Sequence, residues 1–152
     1  SLLIQIQIET DPLFSPPNQE ICESIIHSIC AKHQIQDLAL TLIFAQDDLL
    51  TNLKKEFFKL DQFTDVIAFR LNEYDEKNVE GEIYISLPRA KENAVTFDEQ
   101  FEKETSRLII HGCLHLLGFN DETSDEKREM TNMEDNFLSQ INWQNLFEKI
   151  EK

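Results

Sequence analysis

The residues of this chain best suited to chemistry are His111, His115 and Asp121, in the run His111-Gly112-Cys113-Leu114-His115-Leu116-Leu117-Gly118-Phe119-Asn120-Asp121. Two imidazoles four residues apart on a helix share a face. Gly118, three positions beyond the second imidazole, lets the backbone turn so that the Asp121 carboxylate swings back toward them. Three protein ligands with the fourth position left to water is the pattern of a zinc site that performs chemistry rather than one that staples a fold. A lone histidine in so apolar a stretch reads as a hydrogen-bonded core residue. A pair is another matter, because burying two imidazoles without compensation is costly, and the added glycine and acid favour the metal. The expectation is one zinc ion per chain, held by His111, His115 and Asp121, which takes two of the chain's four histidines.

What the motif lacks narrows the chemistry. The same ligand offsets occur in the extended zinc-protease helix, where a glutamate after the first histidine serves as general base. Here that position is Gly112, so a peptidase mechanism loses its usual proton acceptor. Cys113 lies two residues before His115, an offset that turns it off the histidine face of a helix, and it reads as a non-ligand. The three cysteines, Cys22, Cys30 and Cys113, show no paired framework and no CxxC spacing, and they read as small buried hydrophobes in a reducing compartment.

The elements that must position these groups follow an α+β order. Residues 2–8 alternate Leu or Ile with Gln, a strand with one polar face. Pro16-Pro17-Asn18 precedes a helix with Ile21, Cys22, Ile25, Ile26 and Ile29 on one side and His27 facing solvent. Strands are expected over residues 38–44, 66–71 and 83–87, a helix over 47–58, and an acidic loop over 72–80. Thr96-Phe97-Asp98-Glu99 fits a capping box, from which the motif helix should run to Leu117 and stop at Gly118. A second box, Thr123 with Glu126, should open a helix with Met130, Met133, Phe137 and Ile141 as its apolar stripe. The tail from Trp143 to Ile150 is apolar every three or four residues and suits core closure or a partner surface. The expected fold is a small mixed sheet of about four strands packed with helices, with the metal site on a central helix and the following turn. At 152 residues the chain is one domain's worth.

These residues resemble the YbeY endoribonucleases, also called ribosomal RNA maturation factors. That family's signature is His-Gly-x-Leu-His-Leu-x-Gly-Tyr-Asp-His, and the chain follows it from His111 through Gly118 and, with Phe119 for tyrosine, one step further. Upstream, Thr64-Asp65-Val66-Ile67-Ala68-Phe69 is similar to the family's Thr-Asp-Val-Leu-Ser-Phe block, and Gly81-Glu82-Ile83-Tyr84-Ile85-Ser86 to its Gly-Asp-Ile-x-Ile-Ser strand. Glu104 and Arg107 fall where the family's helix carries glutamate and arginine. The chain departs from the pattern at two places. Asn120-Asp121 replaces the closing Asp-His, making the third ligand a carboxylate, and the family's upstream arginine aligns with Phe58, next to Lys59.

The resemblance implies a metal-dependent endoribonuclease acting on single-stranded RNA in ribosomal RNA maturation and ribosome quality control. Its partners would be ribosomal RNA or the small ribosomal subunit, with no DNA and no membrane, in the cytoplasm. Fourteen basic against 29 acidic residues give a formal charge of −15, which repels nucleic acid and requires local positive charge. The candidates are Lys54, Lys55, Lys59, Arg70 and Arg89, and Phe57 and Phe119 are candidates for base stacking. Lys59 and Asp65 are the catalytic candidates. Asp65 reads either as a partner that orients a ligand imidazole or as a strand-end cap. Two alternatives are a ribosome-associated metal protein with little nuclease activity and a metal hydrolase of another substrate class. No apolar run approaches transmembrane length, and no charged leader precedes a hydrophobic region.

Overall fold

The computed structural model describes residues 3–59 and 64–147. The elements run β1 (Leu3–Thr10), α1 (Gln19–Lys32), β2 (Asp37–Ala45), α2 (Asp47–Phe58), β3 (Val66–Arg70), β4 (Val79–Ser86), α3 (Leu87–Thr96), α4 (Phe101–Leu116) and α5 (Ser124–Leu138), followed by a single 3-10 turn at Trp143–Asn145. The sheet has four strands in the order β1-β2-β4-β3. β1, β2 and β4 are parallel neighbours, and β3 pairs antiparallel with β4 as an edge strand. This is the mixed α+β architecture expected from the sequence.

Alternation along the strands sorts the side chains into two layers. Ile4, Ile6 and Ile8 of β1, Leu38, Leu40, Leu42 and Phe44 of β2, and Val79, Ile83 and Ile85 of β4 meet the apolar sides of α1 and α4 in the main core. The intervening residues Ile43, Ala45, Ile67, Phe69 and Tyr84 point the other way and pack with Leu50 and Leu53 of α2. Helix α4 therefore lies on one face of the sheet and α2 on the other. His27 is exposed on α1, as its position opposite the isoleucines requires. Among the described residues, no helix is long and apolar enough to cross a membrane.

Local chemistry explains most boundaries. The Asn18 side chain accepts from the Ile21 amide at 3.1 Å and opens α1. Thr123 and Glu126 form the expected reciprocal box at the start of α5. The box expected at Thr96 does not form. Ser86 accepts from the Arg89 amide at 3.2 Å and Pro88 occupies the first turn, so a helix begins at Leu87 and runs through Thr96. Leu87 thus belongs to α3 rather than to a strand. Asp98 then turns the chain with a positive φ of 52°, and α4 starts at Phe101 without a side-chain cap. The strand expected over residues 83–87 begins earlier, at Val79, because all eight residues from Val79 to Ser86 pair with β2. The acidic loop shortens accordingly. Of the apolar tail, Leu146 is buried and Phe147 packs on the core, while residues 148–150 lie outside the described residues.

Helix α4 approaches β4 closely at Gly112, where a Cβ would lie 2.7 Å from Ile83 Cγ2. Ile83 is fully buried and has little room to move aside. Gly112→Ala should therefore destabilise the metal-free protein by about 1–3 kcal/mol, the usual cost of overpacking. Urea unfolding checks this, and the losses from Gly112→Ala and Ile83→Ala should be less than additive when combined, because Ile83→Ala removes the Cγ2 that the new Cβ meets. An unchanged midpoint for Gly112→Ala would mean that the helix is not pinned to the sheet here.

Candidate metal centre

His111 and His115 sit one turn apart near the C-terminal end of α4, and the helix ends in a motif that brings Asp121 to them. The Phe119 amide bonds the Leu114 carbonyl at 3.1 Å, and the Gly118 amide bonds the His115 carbonyl at 3.0 Å. This is the Schellman arrangement, with Gly118 at φ 98° in the position that disfavours a side chain. The reversal places one Asp121 carboxylate oxygen 3.2 Å from His111 Nε2 and 3.4 Å from His115 Nε2, with the two ring nitrogens 3.0 Å apart. A tetrahedral zinc ion with bonds of about 2.0–2.1 Å separates its ligand atoms by about 3.3 Å. The three donors match the face of such a tetrahedron, and its fourth corner points away from them. All three side chains are partly exposed.

One imidazole is held from behind. Glu134 of α5 is buried, and one of its oxygens lies 2.6 Å from His111 Nδ1. Its other oxygen accepts from Arg107 Nη1 at 3.2 Å, while Arg107 Nη2 bonds Asp135 at 2.8 Å. With Nδ1–H donated to Glu134, a neutral His111 presents a lone pair at Nε2 toward the other two donors. Three electron-rich atoms so close together require a cation or a proton between them, and the donor set fits zinc. Burial works against the charged imidazolium of His111. Glu134, with Asp121 and Asp65, outweighs it and raises the pKa above the ordinary histidine value.

Behind Arg107 the network continues. Asn93 of α3 donates through one nitrogen to Asp65 at 3.0 Å and to Glu104 at 3.5 Å. Arg107 Nε lies 3.8 Å from Glu104. Burial pushes the Glu104 carboxyl up to about 7 against the opposing pull of Arg107 and Asn93.

The structure brings His111, His115 and Asp121 together and leaves Cys113 buried and out of the cluster, with burial raising its thiol pKa. Cys22 and Cys30 are likewise free and buried. The carboxylate that orients His111 is Glu134, not Asp65. Asp65 accepts from Asn93, and its carbonyl accepts from the Ser86 amide at 2.9 Å, which ties the start of β3 to the end of β4. The signal for Glu134 was present in the sequence as an acid on the apolar stripe of α5, four residues after Met130 and three before Phe137. Lys54, Lys55 and Lys59 lie at the end of α2, on the sheet face opposite α4, so they are not part of the triad. Lys59 closes α2 in a left-handed conformation, and the Lys54 ammonium sits 4.6 Å from the centre of the Phe58 ring. Arg70 is turned inward onto backbone carbonyls and Asn72, and Arg89 is bonded to Asp47 at 3.1 Å. Phe119 packs against the core and meets the His33 ring edge-on, whereas Phe57 is 59% exposed with its edge against Phe69.

Comparison with known proteins places these residues in a family context. The profile of the family Endoribonuclease YbeY matches residues 4–142. A protein named Endoribonuclease YbeY from Amoebophilus asiaticus is 41% identical over 128 residues, covering 84% of this chain and 86% of its own. One of the same name from Halalkalibacterium halodurans is 31% identical, covering 90% of this chain and 96% of its own. Among solved structures, TM1509 from Thermotoga maritima superposes with a TM-score of 0.60 at 29% identity, covering 89% of this chain and 87% of its own.

The Glu104 carboxyl supplies a stability test. Its pKa is raised on folding, so the native state holds the proton more tightly than the unfolded chain. Its favourable contribution is full below about pH 4.5 and is lost as pH rises through about 7. Glu104→Gln removes this dependence. Relative to the parent, the variant should gain stability progressively between these pH values, reaching on the order of 1–3 kcal/mol above neutrality. Thermal unfolding of metal-free protein at pH 4.5, 6 and 8 checks this. A difference between the two proteins that does not change with pH would contradict the assignment.

Proposed function

Because the chain belongs to the endoribonuclease YbeY family, we propose that it is a zinc-dependent hydrolase that cuts single-stranded RNA internally, in the cytoplasm, during maturation and quality control of ribosomal RNA. The observation that carries this reading is the triangle of His111 Nε2, His115 Nε2 and Asp121 Oδ2, with edges of 3.0, 3.2 and 3.4 Å. When bound there, zinc supplies an acidified water and a Lewis acid for a phosphoryl oxygen.

The protein's own groups set the conditions for that chemistry. Glu134 holds the His111 ring and its proton, so Nε2 keeps its lone pair toward the site. Asp121 places a negative charge beside the imidazoles, where it lowers the net charge of the loaded centre. Phosphates away from the cut need local positive charge on a chain of net charge −15. Lys54, Lys55 and Lys59 form the densest basic run of an acidic chain, and we assign them to the RNA backbone, with ribosomal RNA or the small subunit as the natural partner. Asp65, whose charge reaches His111, is the candidate for a group that acts beside the scissile phosphate, and Lys59, at the end of α2, is assigned with the other two lysines to the RNA backbone.

Protein purified without chelator should contain close to one zinc per chain and cleave single-stranded RNA in preference to duplex. Chelator should abolish cleavage, added zinc should restore it, and His115→Ala should lower it by about 100-fold or more. Lys55→Ala with Lys59→Ala should weaken RNA binding and flatten its salt dependence, while Lys149→Ala with Lys152→Ala should leave both near the parent values. Cleavage that survives both chelation and His115→Ala would refute the proposal.

A further inference from the structure

Helix α4 ends with carbonyls that its own backbone satisfies only in part. The Schellman bonds serve Leu114 and His115, and Cys113 accepts from the Leu117 amide at 3.1 Å. The Leu116 carbonyl is taken by Arg70, whose Nη1 donates to it at 2.7 Å from the end of β3. The same guanidinium bonds Asn72 Oδ1 at 2.6 Å and the carbonyls of Glu73 and Asn78 at 3.0 and 3.2 Å. One side chain therefore ties both ends of the loop between β3 and β4 to the last turn of the ligand helix. Asn72 stiffens this loop from within, donating to the Asn78 carbonyl at 2.8 Å and accepting from the Glu80 amide at 3.0 Å.

Tyr74 makes the second contact from the loop. Its ring stacks on the Arg70 guanidinium at 4.8 Å, and its hydroxyl makes a long 3.5 Å bond to the His115 carbonyl. The ring edge stands 3.6 Å from where a Cβ at Gly118 would be. Arg70 and Tyr74 thus bracket the backbone from His115 to Gly118, the stretch that fixes the direction from which Asp121 returns. A cation at this end of the helix also complements the helix dipole.

We propose that Arg70 and Tyr74 are positioning residues for the metal. By clamping the end of α4 they hold the turn that delivers Asp121, and the loop between β3 and β4 thereby sets the affinity of the centre. This rests on the metal reading of His111, His115 and Asp121. The residues touch no ligand atom. They act through backbone carbonyls, and their effect on the metal passes through Asp121.

The test is a double-mutant cycle on zinc affinity, measured by competition with a chromophoric chelator, with thermal unfolding of the metal-free proteins run beside it. Arg70→Ala should weaken zinc binding by about 10-fold or more, the usual scale for groups that orient ligands. In a chain that already carries Asp121→Ala, Arg70→Ala should weaken zinc no further, although it lowers the unfolding temperature in both backgrounds. Should Arg70→Ala fail to fold, Tyr74→Ala opens the clamp from its other side and is expected to show the same non-additivity. Losses of affinity that add across the pair, or zinc affinity unchanged in Arg70→Ala, would overturn the clamp. Zinc affinity that Asp121→Ala leaves unchanged in the parent would instead overturn the ligand assignment on which the clamp rests.

Discussion

A carboxylate buried at a helix interface must have both oxygens satisfied, and Glu134 meets that demand with one oxygen on His111 and the other on Arg107. The consequence reaches the functional atoms directly. With Nδ1 against Glu134, a neutral His111 turns its Nε2 lone pair toward His115 and Asp121. Arg107 is in turn shared with Asp135 and Glu104, which draws α4 and α5 together along a polar seam within an apolar core. Removing one partner from such a buried set typically costs about 3–5 kcal/mol, because it strands the others. The seam that orients the ligand is thus part of what holds the helices in place.

The sheet carries the second constraint. His111 and His115 share a face of α4 by the helix repeat alone, and the absent side chain at Gly112 lets that helix lie close over Ile83 of β4. The antiparallel edge strand β3 is fixed at both of its ends. Asp65, just before it, meets the end of β4, and its last residue, Arg70, meets the end of α4. The site is built from segments distant in sequence, although its ligands come from eleven consecutive residues.

That contrast explains how much could be read from the residues alone. The convergence of His111, His115 and Asp121 was legible because a helix repeat and a glycine stop are local rules. The strands β1 and β2, the bounds of α2 and the box opening α5 were legible for the same reason. Helix α3 was missed because Leu87 was read as the end of a strand, when Ser86 had already capped a helix. Thr96 then looked like a start although it is the last residue of that helix. Glu134 was visible as an acid in an apolar stripe, but the stripe was read for packing only. The inward role of Arg70 left no local trace, since its partner at Leu116 is 46 residues away. Its charge alone suggested an outward contact.

A metal shared by His111, His115 and Asp121 needs His111 in the tautomer that Glu134 favours, with Nε2 unprotonated. The most direct measurement is a long-range 1H–15N correlation spectrum of the histidine rings with and without one equivalent of zinc. Zinc should shift Nε2 of His111 and His115 to positions of metal-bound nitrogen, with both Nδ1 atoms protonated, while His27 and His33 stay where they were. Nε2 of His111 protonated in the zinc-loaded protein, or His111 and His115 unmoved by zinc, would contradict it.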